Sequence, residues 1–268
     1  MSGQQHFKAL PEGRKTWAVA AIHGEANHLR ALHKKLELQF ETGDSLVYLG
    51  NYMGYGPRVL ETINELLNFR RSLLARDDGA QSTVVYLRGY QEEMFQKLLQ
   101  IQFAPDPESV LNWMLKNGIA STLSAYGGFS AEGLAAAEQG NVALARWTGA
   151  IQTQLRQADG HNAFLDQLAW AAYHKNGPLL LVSAGLDVTR PLSMQGDTFW
   201  WGSRNFREID APYGPFKRII RGLYFTKEGA GISDYAATLD DKCGFGGDLV
   251  SACFDANGGL AEMISTKR

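Results

Sequence analysis

The sequence predicts an α/β fold in which two sheets pack together with helices outside. Three observations carry that expectation. Three strand–turn–helix units follow one another between Thr16 and Gln102, strand-like runs return from Leu179 onward, and 268 residues with 45% hydrophobic content can bury the core of one domain.

Thr16 to Ile22 is a short apolar run of the kind buried in a sheet. It passes through His23-Gly24 into a helix over Glu25 to Phe40, whose Leu29, Leu32 and Leu36 share one face. Leu46 to Leu49 is the next strand. After a glycine-rich turn, Pro57 stands where a first helical residue is favoured, and Val59, Leu60, Ile63, Leu66 and Leu67 form a stripe of helical period. Thr83 to Leu87 supplies a third strand, followed by a helix from about Gln91 to Gln102 with Met94, Phe95, Leu98 and Leu99 inward. Three such units in succession imply a parallel sheet, and the loops at the carboxyl ends of its strands form the crevice where ligands bind.

From about 106 to 175 the chain turns helical, as an insert. Val110 to Lys116 ends before Gly118, and Ala131 to Ala158, interrupted at Gly140 and Gly149, reads as two or three short helices. This insert serves as a cap on the sheet or as a docking surface for another protein. Strands resume over Leu179 to Ala184, Lys217 to Ile220, Tyr235 to Leu239 and Asp248 to Phe254, the last two flanking Cys243 to Gly247 as a hairpin. No repeat or Pro- or Ser-rich linker divides residues 16–268, while residues 1–15 read as a flexible N-terminus.

A formal net charge of -2 gives no electrostatic case for nucleic acid as a partner. Met1 to Lys15 lacks the apolar stretch of a secretory signal, and no apolar run approaches the roughly 20 residues that span a bilayer. A cytoplasmic protein with no membrane partner is the expectation. Cys243 and Cys253 are too few and too far apart for a CxxC zinc or redox pair, and fit a reducing compartment as small buried residues.

Five short segments follow strand-like runs: Ala20-Ala21-Ile22-His23-Gly24, Gly50-Asn51-Tyr52-Met53-Gly54-Tyr55-Gly56, Gly89-Tyr90-Gln91-Glu92, Ser183-Ala184-Gly185-Leu186 and Arg221-Gly222-Leu223-Tyr224. In order and setting they resemble the motifs GDxHG, GDxxDRG, GNHE, HAGx and HGHT of the metal-dependent phosphoprotein phosphatases, the calcineurin-like metallophosphoesterases. The resemblance extends to VVYLRGYQEEMF at Val84 to Phe95, WMLKNGIASTLSAYG at Trp113 to Gly127, HNAFLDQL at His161 to Leu168, Ala184 to Gly202, and Ala237 to Val250, which keeps Asp240 and Gly246-Gly247. It is similar to bacterial serine/threonine protein phosphatases and diadenosine tetraphosphatases, and it implies a metallophosphoesterase-like two-sheet β-sandwich flanked by helices.

The resemblance also implies a site that hydrolyses phosphate esters with two metal ions. Carried over by position, its first metal-binding Asp is Ala21 and its following His survives as His23. The bridging Asp is Asn51, the second Asp is Gly54 and the phosphate-binding Arg is Tyr55. The metal-binding Asn is Tyr90, the proton-donating His is Gln91, and Glu92 is kept. The later histidines are Ser183, Arg221 and Leu223. Ala21, Gly54 and Leu223 offer no donor, and Arg221 would place a fixed charge beside the cations, worth roughly 4 kcal/mol of repulsion per unit charge at about 4 Å with an effective dielectric near 20.

The leading expectation is therefore a pseudophosphatase, with no catalytic residues, no metal and no cofactor, that binds another protein or a phosphorylated ligand. Tyr55 and Arg221, with Arg88 and Arg218 near in sequence, are the candidate anion-binding groups. Two alternatives stand beside it. One is a weak or rebuilt phosphoesterase using Mn or Mg, with His23 as a ligand or base and Asp187 or Asp241 swung in; the other is a structural subunit of a larger assembly. The aromatic segments Trp200-Trp201 and Tyr213 to Phe216 are candidate contact faces.

Overall fold

A computed structural model describes residues 6–76, 78–203, 206–225 and 229–267. Strands β1 (Phe7–Leu10) and β2 (Thr16–Val19) open the chain, followed by α1 (Ala26–Gln39), β3 (Ser45–Tyr48), α2 (Val59–Leu74), β4 (Thr83–Tyr86) and α3 (Tyr90–Leu98). The insert contains α4 (Pro107–Lys116), α5 (Ile119–Ala125), α6 (Ser130–Gln139), α7 (Asn141–Gln157) and α8 (His161–Asp166). The remainder is β5 (Ala171–His174), β6 (Leu179–Val182), α9 (Thr198–Trp201), β7 (Arg218–Arg221), β8 (Gly231–Ile232), β9 (Ala236–Thr238), β10 (Val250–Phe254) and β11 (Leu260–Ser265).

One sheet runs β11-β10-β2-β3-β4 and the other β1-β5-β6-β7-β9-β8. β2, β3 and β4 pair in parallel, as the three strand–helix units require, because α1 and α2 carry the chain back to the same end of the sheet. β2, β3, β6 and β7 are buried along their whole length, which is why their sequences read as continuous runs rather than alternating ones. Leu29, Leu32 and Leu36 of α1 and Val59, Ile63 and Leu66 of α2 are buried in one continuous apolar cluster that includes residues of both sheets. Among the described residues no helix is long and apolar enough to cross a membrane.

Several expectations change. Part of the N-terminus expected to be flexible is a strand: Phe7–Leu10 pairs in parallel with β5, and His6 stacks on Trp170 with ring centroids 4.3 Å apart; residues 1–5 lie outside the described residues. The hairpin across Cys243 to Gly247 is reduced to an isolated antiparallel bridge between Asp241 and Asp248, because β9 belongs to one sheet and β10 to the other; β10 instead turns back onto β11. Gly149 does not interrupt α7, whose buried Leu144, Trp147, Ile151 and Leu155 outweigh the roughly 1 kcal/mol that one glycine costs a helix. The insert's helices end at Asp166, since Ala171–His174 is a strand, and α2 begins at Val59, beyond Pro57. Trp200 is core, packed on Trp170, rather than part of a contact face.

Candidate functional site

The loops that follow β2, β3, β4, β6 and β7 meet at one end of the two sheets, and hydrogen bonds tie them together. The His23 amide donates to the Asn51 carbonyl (2.8 Å), the Ala21 amide to Gly222 (3.0 Å), and the Gly222 and Leu223 amides to Ser183 (2.9 and 3.0 Å). His23, Asn51 and Tyr55 are three of the five non-glycine residues with positive φ among the described residues, at 54°, 59° and 45°. Such conformations each cost of order 1–3 kcal/mol and persist only where the surroundings over-determine them. Gly50 and Gly89 allow the two loops to approach closely: a Cβ on Gly89 would lie 2.3 Å from the Asn51 nitrogen.

Glu92 anchors this arrangement. Its side chain is fully buried; Oε2 accepts the amides of Asn51 (2.8 Å) and Gly89 (2.9 Å), and Oε1 those of Tyr52 (2.8 Å) and Met53 (3.3 Å). Burial pushes its carboxyl above the usual range and these four N–H groups oppose that shift. Asn51 is equally committed: its Oδ1 accepts the Gln91 amide and its Nδ2 donates to Ser183 Oγ, each at 3.2 Å. Gln91 Nε2 donates to the Tyr90 hydroxyl (2.6 Å) and to the Asn117 carbonyl (2.8 Å), and the Tyr90 and Tyr55 hydroxyls lie 2.8 Å apart.

His23 is 1% exposed, and neither ring nitrogen makes a hydrogen bond of ordinary geometry; a weaker contact with the Met53 backbone acts with Asp240 to hold its proton. Its imidazole stands edge-on to Tyr55 (5.2 Å between centroids), Phe245 (5.8 Å) and Tyr90 (6.3 Å). Burial in this cage lowers its pKa to about 4 against an opposing pull from Asp240, so the ring is neutral at physiological pH. Arg221 is also 1% exposed, with its guanidinium between Phe206 (4.1 Å) and Tyr224 (3.9 Å). Nε donates to Thr238 Oγ1 and Nη1 to the Ala184 carbonyl, while Nη2 is buried without a partner. Burial lowers its pKa to about 10, with Tyr224 opposing.

Arg221 is therefore closed off from any ligand rather than presented with Tyr55. Arg88 and Arg218 are likewise engaged elsewhere: Arg88 pairs with Glu93 (2.9 Å) and Gln96 (2.6 Å), and Arg218 donates to the Gly258 carbonyl. Asp187 is held in its own turn by Thr189 and Arg190. Sequence reasoning missed the contribution of the insert. Asn117, Ser121 and Thr122 reach the loops through Gln91, the Tyr55 carbonyl (2.8 Å) and the Gly54 amide (3.1 Å), and only the turn dipeptide Asn117-Gly118 hinted at a change of direction there.

Two solved structures share this architecture along nearly the whole chain. One, from a protein provisionally named a diadenosine tetraphosphatase, superposes with a TM-score of 0.57 at 18% identity, over 97% of this chain and 96% of that one. The other, a protein serine/threonine phosphatase from Saccharomyces cerevisiae, gives 0.53 at 11% identity, over 98% and 84%. The fold is metallophosphoesterase-like, two sheets flanked by helices, as in these two structures. No family model and no curated protein matches the sequence, so the shared fold is what the likeness establishes.

The metallophosphoesterase fold implies metal ions at these loops, and the residues present do not fit them. Ala21, Gly54 and Leu223 carry no donor, both Glu92 oxygens are saturated by backbone amides, and the Asn51 amide is occupied on both sides. The unpartnered nitrogens of His23 and the unpartnered Oε1 of Gln91 are features at these loops that suit a metal, and one imidazole with one amide oxygen falls short of the three protein ligands of a catalytic zinc. Among the described residues no group of three or more His, Cys, Asp or Glu side chains converges as a ligand set.

Proposed function

We propose that this protein is a pseudophosphatase, a metallophosphoesterase fold that binds another protein without hydrolysing phosphate esters. The observation that carries the reading is the chemistry of the former ligand positions: apart from His23, each is apolar, engaged in an internal hydrogen bond or, for Arg221, fixed in positive charge, and one imidazole does not make a ligand set. Of the two partner classes, protein is favoured over a phosphorylated small ligand because Arg221 is sealed between Phe206 and Tyr224. A rim of aromatic side chains surrounds the filled loops: Trp113, Phe225 and Phe245 are 46%, 55% and 58% exposed, over Trp201, Tyr90 and Tyr55. Exposed aromatics are typical of the cores of protein interfaces.

Thermal unfolding in EDTA and then in about 1 mM manganese tests the metal-free reading. No change in Tm is expected. A site filled to about a hundred times its Kd would add roughly 2.7 kcal/mol, or roughly 5 to 10 °C. A rise of that size that disappears in His23→Ala, with manganese-dependent hydrolysis of p-nitrophenyl phosphate, would overturn the reading in favour of a rebuilt phosphoesterase.

A further inference from the structure

Gly54 and Gln91 occupy one volume between them. A Cβ placed on Gly54 would lie 2.3 Å from Gln91 Cδ, 2.4 Å from Oε1 and 2.8 Å from Nε2. Real Cβ contacts are essentially never that short, so the Gln91 carboxamide stands where any side chain at position 54 would begin. Its Oε1 is buried and without a hydrogen-bond partner, a state that disfavours the carboxamide unless its packing and the Nε2 bonds compensate. Those bonds lead to the insert. Nε2 reaches the Asn117 carbonyl (2.8 Å), the neighbouring Gly118 carbonyl accepts the Tyr55 amide (3.1 Å), and the Gly118 backbone lies flat against the Tyr55 ring, where a Cβ would be 2.8 Å away. Thr122 Oγ1 and Ser121 Oγ complete the seam at the Gly54 amide and the Tyr55 carbonyl.

We propose that Gln91 is a latch: it fills the space opened by Gly54 and holds the α4–α5 junction down over the loops, closing the cleft that this fold otherwise presents to metal and phosphoester. The proposal rests on the metal-free reading and adds a consequence to it. A side chain at position 54 requires the Gln91 carboxamide to move out, and Gln91 shares the fastening of the cap with the bonds from Tyr90, Ser121, Thr122 and the Tyr55 amide.

The test is a double-mutant cycle on the full chain, with Tm as the readout. Gly54→Ala is measured alone and in a Gln91→Ala background. Alanine at φ 83° is strained in both backgrounds, so that penalty cancels and the difference isolates the clash with the carboxamide. The Tm loss from Gly54→Ala is expected to be smaller by about 3 °C or more when Gln91 is absent. Hydrogen exchange at the Tyr55 amide in Gln91→Ala alone is expected to rise at least about tenfold, reporting release of the seam. If Gly54→Ala alone fails to fold, recovery of folded protein in the double variant is the same supporting result. Equal Tm losses in the two backgrounds, or unchanged exchange at Tyr55, would overturn the latch. Neither result touches the metal-free reading, which depends on the manganese response of the unsubstituted chain.

Discussion

Glu92→Ala is expected to lower the stability to unfolding by about 3–5 kcal/mol, a large part of the roughly 5–15 kcal/mol available to a domain. The substitution strips the acceptor from the amides of Asn51, Tyr52, Met53 and Gly89 at once. Each buried donor left unsatisfied costs about 1–3 kcal/mol, and removing a buried carboxylate returns part of that sum by relieving its own desolvation. Glu92→Gln separates the two effects. Its single oxygen can serve Tyr52 and Met53 or Asn51 and Gly89, but not both pairs, and its NH2 then faces two donors. A loss between those of the parent and the alanine variant is expected. Urea unfolding followed by fluorescence measures all three, and an alanine variant within about 1 kcal/mol of the parent would show that the loops hold their conformation without the carboxylate.

That dependence explains a residue whose role cannot be read locally. Glu92 begins a helix, where the dipole favours an acidic side chain whatever else it does, and position alone does not distinguish the two roles. The same division runs through the molecule. β2 and β3 were legible because strands buried on both faces are continuous apolar runs, half-buried β4 because TVVY is β-branched and aromatic, and the helices between them have clear stripes. β1, β5 and β11 were not. FKAL and AAYH are too short and mixed to stand out, and LAEMIS is largely exposed along an edge. The passage of the chain from β9 in one sheet to β10 in the other has no local signature, whereas two strands about a dozen residues apart look like a hairpin. The positions of the site were legible as strand-end loops, and their contents were not. Arg221 reads as a free cation until Phe206 and Tyr224 are seen on either side of it. The seam between Gln91 and Asn117 joins residues 26 apart, with no periodicity to announce it.

Acid is expected to destabilise the protein through its buried histidines. The folded-state pKa of His23 is lowered to about 4, whereas the unfolded chain binds a proton at the ordinary value of 6.5. Above the unfolded pKa both states are neutral and the ring's packing is fully available. As the pH falls below about 6.5 the unfolded state takes up a proton that the folded state refuses, so stability falls with pH until about 4, where the folded state titrates as well. Between about pH 7.5 and 4.5 this one residue removes a few kcal/mol, on the order of 1.4 kcal/mol per unit of pKa difference. His33 acts in the same direction, its pKa lowered by burial against the pull of Glu65, and so do His161 and His174. Glu92 and Asp44 act the other way, because burial raises their pKa values and protonation then favours the folded state. Comparing the parent with His23→Asn isolates the first contribution, since asparagine tolerates φ 54° and does not titrate. Urea unfolding at the two pH values is expected to show a pH-dependent loss smaller in the variant by roughly 1–3 kcal/mol. An identical loss in both would place a hydrogen-bonding group at the imidazole, able to accept its proton in the folded state, and would reopen the case for His23 as a ligand.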